Sequence, residues 1–237
     1  MQIIIHTCDC FASGTLCVIV GIMLQLPRPY LSHSAKALWK SNREGFRNKY
    51  YRPGGPQSSS PEMDFGKDIA KQLETLEITN PILKGFIDDG KLPVYPVREL
   101  KIEVTVEGVP LLGYLDMFHP DTLAFRDQKT GHSKWTSEIV NKHPQLPFYA
   151  ILIHATRGSV AEVCHLDWMQ TEMVDEFDSL KINGKEYSVP CSVPRFTGHI
   201  ESFERVITPL DRFAELQDIV QCAHEVSADY QNYLKNK

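Results

Sequence analysis

Nowhere in this 237-residue chain do two of its six cysteines stand as a CxxC pair. Cys8, Cys10 and Cys17 crowd the first 17 residues, while Cys164, Cys191 and Cys222 are scattered. That spacing excludes a zinc ribbon and an iron–sulfur cradle, and no disulfide framework is evident. Such cysteine usage fits a reducing, cytoplasmic compartment. A comfortable membrane span is also lacking. Phe11 to Leu26 is apolar for 16 residues, interrupted by Ser13, Gly14 and Thr15, against the ~20 that a spanning helix needs. No Lys or Arg precedes that run, so the basic flank of a secretory leader is missing too. Residues 1–25 are read as an extension, best explained by a true start further downstream, with one functional domain over 26–237. No internal repeat is visible, and positive charge is short overall, the net being −5.

The positive charge that exists is concentrated. Arg28, Lys36, Lys40, Arg43, Arg47, Lys49 and Arg52 face a single acid, Glu44, so this stretch carries +6 and the remainder −11. A basic segment on an acidic body suits phosphate binding, although a solvated helix face explains it as well. Hydrophobic and charged fractions of 42% and 23% are those of a globular protein large enough to bury a core.

Hydrophobic periodicity orders the rest. A helix is expected from about Ala35 to Tyr50, capped by Ser32 or Ser34. A turn-rich linker follows over Arg52–Pro61, then a helix near Phe65–Leu76 and a short one near Pro81–Ile87. From Glu99 the period changes to two: Leu100, Ile102, Val104 and Val106 alternate with polar residues. Glu107-Gly108 turns the chain into Leu111–Phe118, and His119-Pro-Asp-Thr122 turns it into Leu123–Lys129, a three-stranded meander. A helix from Pro144 to Gly158, strands around Ser159–Met173 and His199–Ile207, and an Asn183-Gly184 hairpin complete the middle. The chain ends on a helix, Leu210–Leu234, whose apolar face is drawn by Phe213, Leu216, Ile219, Val220 and Ala223. The class is α+β with a mixed sheet.

Within that order sits a chemical constellation. Asp127 and Lys129 are two apart on a strand and leave the same face. Asp116, on the preceding strand of the hairpin, can bring its carboxylate beside that of Asp127. Converging carboxylates form a hard-oxygen site suited to Mg2+ or Mn2+. A lysine beside them is costly unless paired, but next to a phosphate it can orient water or stabilise developing charge. Metal-assisted phosphodiester hydrolysis uses each of these groups. Gln145 and Tyr149, four apart on one helical face, present an amide and a phenol together. His132, His143 and His154 share no ligand spacing, Lys134 and Lys142 read equally as solvated loop residues, and Trp168 reads as core.

Gly113-Tyr-Leu-Asp116, Asp127-Gln-Lys-Thr-Gly131 and Gln145-Leu-Pro-Phe-Tyr149 together resemble the motifs of RecB-type nucleases of the PD-(D/E)XK superfamily. Leu31-Ser-His-Ser34 with Phe46-Arg-Asn-Lys-Tyr50 is similar to the entry segment of phage-type exonucleases in that group. The resemblance implies an αβββαβ core. It also implies a metal held by Asp116, Asp127 and the backbone carbonyl of Gln128, a catalytic Lys129, and an accessory pair in Gln145 and Tyr149. The expected activity is Mg2+- or Mn2+-dependent DNA cleavage, exonucleolytic and serving recombination, repair or phage DNA metabolism, with the Arg28–Arg52 segment on the DNA, no membrane and no iron–sulfur cluster. Relatives of this kind carry a metal-binding His in a Gly-x-x-x-His segment of the second helix, where Phe65-Gly-Lys-Asp-Ile-Ala70 here has Ala70. Glu74, one turn along, is a candidate substitute, and Glu103 reads mainly as a solvated strand residue. Loss of that His also motivates a rival reading, a DNA-binding module with weak or no turnover.

Overall fold

The computed structural model describes residues 4–7, 18–21, 24–52 and 59–237. Two short strands, β1 (Ile4–Thr7) and β2 (Val18–Gly21), pair antiparallel. Positions 1–3, 8–17 and 22–23 of the N-terminal extension, with Cys8, Cys10 and Cys17 among them, and positions 53–58 of the expected linker lie outside the described residues. Four helices come next: α1 (His33–Ser41), α2 (Arg43–Tyr50), α3 (Pro61–Thr75) and α4 (Pro81–Asp88). Three strands follow, β3 (Val97–Val106), β4 (Val109–His119) and β5 (Ala124–Gly131), then α5 (Ser137–Lys142) and α6 (Gln145–Arg157). Strands β6 (Val163–Ile182) and β7 (Lys185–Val206) and a long α7 (Pro209–Lys235) close the chain.

The main sheet runs in sequence order, β3-β4-β5-β6-β7. Its meander is antiparallel, β5 and β6 are parallel, and β6 and β7 are antiparallel. Parallel pairing needs a crossover, which α5 and α6 supply. Among the described residues, buried side chains fall into two clusters. The larger gathers Trp39, Phe46, Phe125, Phe148, Trp168 and Ile219; the smaller holds Ile69 and Leu73 of α3, Leu83 and Phe86 of α4, and Met169. Neighbours Trp168 and Met169 of β6 thus enter different clusters, as strand alternation requires. The expected α+β class with a mixed, helix-flanked sheet is what the chain adopts.

Several local features differ from the periodicity. The helix expected over 35–50 is broken at Asn42, which leaves helical geometry (φ −153°) and accepts the Gly45 amide at 2.8 Å, capping α2. An Asn side chain that competes for backbone donors favours such a break. Helix α3 begins at Pro61 rather than Phe65, because Ser60 caps it and proline suits its first turn. The separate strands and hairpin expected between 159 and 207 merge into two strands of 20 and 22 residues joined at Asn183-Gly184, both with positive φ (50° and 81°), as a two-residue hairpin turn demands. Phe213 is 56% exposed, whereas Ile219, Cys222, Ala223 and Val226 form the buried stripe of α7. Six residues at 3.6 per turn set Phe213 about 120° around the helix from Ile219.

Candidate metal and phosphate site

The ladder between β4 and β5 is only three pairs long: His119↔Ala124, Phe118↔Phe125 and Met117↔Arg126. The next positions in register are Asp116 and Asp127, where the strands part. In place of a strand partner, the Asp116 Oδ2 accepts the Gln128 amide at 2.6 Å. Satisfying that amide with a side chain instead of a carbonyl keeps the gap open. Beyond it β5 turns to β6, pairing from Arg126↔His165 to Gly131↔Gln170.

Asp127 is fully buried, yet neither carboxylate oxygen has an aligned hydrogen-bond donor. The Lys129 Nζ lies 2.7 Å from its Oδ2, on the same face as expected, so the contact is one of charge without hydrogen-bond alignment. Burial pulls the Lys129 ammonium down, but Asp127 and Asp116 outweigh it and hold the group above its usual range. Burial, then the neighbouring Asp127, push the Asp116 carboxyl up to about 7, against Lys129 and the Gln128 amide. Two adjacent acids with one lysine leave negative charge uncompensated in a poorly hydrated gap. That donor set and the orphaned Asp127 oxygens fit a hard divalent cation.

On the α6 side, a cavity of about 460 Å³ is lined by Lys129, Gln145 and Tyr149 together with Arg28, His33 and Tyr114. Gln145 Nε2 donates to the Tyr149 hydroxyl at 2.7 Å. Burial and the two aspartates push the Tyr149 phenol up, so it keeps its proton. Gly113 allows this packing: a Cβ there would lie 2.4 Å from Leu152 and 3.2 Å from the Tyr149 ring. His33 opens α1, and burial, reinforced by Lys36, His143 and Lys129, pushes its imidazole down to about 3.

On the α3 side, a smaller cavity of about 70 Å³ is lined by Gly66, Ala70, Glu74, Glu99, Asp116, Gln128 and Thr130 among others. Glu99 has no place in the sequence constellation, although it begins the alternating strand and stands 17 residues before Asp116. It is half-buried, and burial with Glu74 nearby pushes its carboxyl up against the pull of Lys71. Glu103 is 56% exposed and pairs with Lys101 at 2.9 Å, the solvated reading. Among the described residues, no three His, Cys, Asp or Glu side chains converge closely enough to enclose a metal as they stand.

The basic segment divides. Lys36 pairs with Glu215 and, at 2.9 Å, with Asp218; Lys40 also meets Asp218. Arg43 pairs with Glu225 at 2.8 Å, and Arg47 grips Asp229 through two nitrogens at 2.6 and 3.0 Å. Four of the seven cations therefore dock α1 and α2 onto α7, a pairing that sequence alone leaves open because the partners lie about 180 residues away. Arg28 instead stacks on Tyr30 and Tyr50 and lines the α6-side cavity. Cys164, Cys191 and Cys222 are free thiols.

The model of the PD-(D/E)XK nuclease superfamily matches residues 54–233, and the chain belongs to that superfamily. Among solved structures, a phage-related exonuclease from Haemophilus somnus 129PT is 12% identical, with a TM-score of 0.49 over 85% of this chain and 84% of that one. A candidate exonuclease from Eubacterium rectale is likewise 12% identical, with a TM-score of 0.48 over 83% and 82% of the two chains. No curated protein matches significantly.

Proposed function

We propose that this chain is a divalent-metal-dependent deoxyribonuclease of RecB type, an exonuclease acting in recombination, repair or phage DNA metabolism. The observation that carries it is the gap between β4 and β5, where Asp116, Asp127 and Lys129 meet beside the Gln145–Tyr149 pair. Asp116, Asp127 and the Gln128 carbonyl would hold Mg2+ or Mn2+. When bound, such an ion supplies Lewis-acid stabilisation of the charge that phosphodiester hydrolysis places on phosphate oxygens.

The chain's own groups do the rest. Lys129 remains protonated and faces the cavity, placed to stabilise the phosphorane-like charge and to orient water for in-line attack. The protonated Tyr149 hydroxyl, accepting from Gln145, has its hydrogen free to donate to a phosphate or to the Asp127 side of the gap. Arg28, unlike the cations docked on α7, is available to the DNA backbone, as is Lys49, whereas Arg52 pairs with Glu44 of α2 at 3.5 Å. Among the described residues no helix is long and apolar enough to cross a membrane.

The test is purified protein on end-labelled linear and circular DNA, with and without Mg2+, beside Lys129→Ala and Asp127→Asn. Metal-dependent loss of the linear substrate alone, abolished in both variants, is expected. Unchanged cleavage in both variants would falsify the reading. A second reading, DNA binding without turnover, is favoured by Ala70 at the small cavity. It predicts salt-sensitive binding and no cleavage by the unaltered chain.

A further inference from the structure

The main sheet ends before its two longest strands do. Strand β5 stops at Gly131, paired with Gln170, whereas β6 and β7 continue for twelve more pairs, from Thr171↔Phe196 to Ile182↔Lys185. At ~3.3 Å per residue this ribbon is about 40 Å long. Phe196 anchors its base against Phe65 and Phe86. Farther out the side chains lie open: Phe177 is 74% exposed, Leu180 50% and Tyr187 48%. A two-stranded ribbon without a third strand or a packed face is marginal in water.

The two edges of the ribbon differ. Proline has no N–H to give a ladder, so within a strand its nitrogen faces outward. Pro190 and Pro194 of β7 stand opposite Phe177 and Met173. Those pairs are therefore not hydrogen-bonded, and bonded and non-bonded pairs alternate along an antiparallel ladder. The amides of Met173, Asp175, Phe177, Ser179 and Lys181 thus point away from β7. Ser179 agrees, since its N–H donates to the Asp178 carboxylate at 2.8 Å. Proline blunts the β7 edge at two places, while Thr171–Ile182 of β6 contains none. Among the described residues nothing pairs with that β6 edge beyond Gln170.

Charge selects what can cover it. Thr171–Ile182 holds Glu172, Asp175, Glu176 and Asp178 against one cation, Lys181. Arg195 grips Glu176 through two nitrogens at 2.9 and 3.0 Å; the other three carboxylates have no ion pair among the described residues. A second copy laid antiparallel and centred on this edge would set Asp175 against Asp178 or Glu176 against itself, where like charges repel. A phosphate backbone is repelled likewise.

We propose that the β6 edge from Thr171 to Ile182 is a docking site for an extended, basic segment of a partner protein, which adds a third strand to the ribbon. The outward amides and carbonyls of β6 bind its backbone, as in strand addition to any open sheet edge. Lys or Arg side chains on the segment meet Glu172, Asp175 and Asp178, and its apolar side chains cover Met173, Phe177 and Leu180. None of these residues lies in the β4–β5 gap, so the proposal stands apart from the nuclease reading.

The probe is a labelled synthetic peptide of four Lys-Val-Thr repeats, titrated onto the full chain by fluorescence anisotropy. Two controls accompany it. A Lys-Pro-Thr peptide keeps the charge but lacks a backbone donor at every third residue, and a Glu-Val-Thr peptide keeps the donors but reverses the charge. Only the Lys-Val-Thr peptide is expected to bind, and it should slow amide exchange within 171–182. Asp175→Pro removes an outward N–H and a carboxylate and should weaken binding about tenfold. Ser192→Pro, across the same non-bonded pair, blocks the opposite edge and should leave the affinity unchanged; it reveals any loss that comes only from damage to the ribbon. Equal losses in the two proline variants, equal binding of the Lys-Pro-Thr peptide, or no binding by any peptide overturns the proposal. So does a concentration-dependent dimer in sedimentation that Asp175→Pro dissolves, which makes a second copy the occupant.

Discussion

Gly113 shows how a residue without chemistry governs a site. A methyl at this position would lie 2.4 Å from a Leu152 methyl and crowd the Tyr149 ring, so the fully buried Leu152 side chain must shift or α6 retreat from β4 to accept it. Overpacking of this kind costs about 1–3 kcal/mol. Gly113→Ala should lower the unfolding free energy obtained from urea melts by that amount and, by displacing Tyr149, reduce cleavage more than DNA binding. Equal losses in both would remove Gly113 from the site's support.

His33 supplies the pH dependence at this scale. Its imidazole is pushed down from 6.5 to about 3, chiefly by burial. The unfolded chain therefore takes up this proton first as pH falls, and the unfolded state is favoured by it. The stability tied to the neutral His33 is complete above about 6.5 and declines progressively toward 3. Thermal melts between pH 7 and 5 should show a falling midpoint, and His33→Gln should flatten part of that fall. An identical slope in the variant would show that His33 does not carry it.

At the scale of elements, the seam between α1–α2 and α7 is built of charge. Lys36 and Glu215 are 2% and 7% exposed, so removing one partner leaves a buried charge, a loss of about 3–5 kcal/mol. Lys36→Ala should therefore destabilise strongly, whereas Lys36→Met combined with Glu215→Leu should recover most of the loss; denaturant midpoints decide between them. The break at Asn42 rests instead on a neutral hydrogen bond from the Gly45 amide. Asn42→Ala forfeits the α2 cap at a cost of about 1 kcal/mol, seen as faster amide exchange confined to the first turn of α2. Protection unchanged in that turn would mean that the cap is not what holds it.

For the whole molecule, the seam decides how charge is presented to a nucleic acid. The basic stretch was a candidate DNA surface over its full length, but Lys36, Lys40, Arg43 and Arg47 already have carboxylate partners on α7. Arg28→Ala is expected to weaken DNA binding and lower the salt slope by about one unit, with Lys40→Ala near neutral. Fluorescence anisotropy over a salt series in Ca2+ measures both; equal slopes for the two variants would restore the whole segment as the contact.

How much of this was legible beforehand depended on the distance over which each feature is encoded. The β3–β4–β5 meander follows from two-residue periodicity and local turns, and the Asn183-Gly184 hairpin from its dipeptide. The Asp127–Lys129 and Gln145–Tyr149 pairs follow from strand and helix geometry alone, since their members are two and four residues apart. Asp116 needed the register of one hairpin and was still within reach. The exposed face of Phe213 was not, because a helix's apolar residues do not reveal which neighbours arrive to cover them.

The sequence by itself thus determined the class, the elements around residues 97–157 and the proposed acid–acid–lysine set, because all of these depend on repeat spacing and short connections. Tertiary structure alone decided that β4 and β5 part at Asp116 and Asp127, that Glu99 stands opposite Asp116 beside an α3 wall opened by Ala70, and that most of the basic segment is neutralised by α7. Each of those joins groups remote along the chain, where the outcome rests on desolvation and charge pairing between surfaces that only folding brings together.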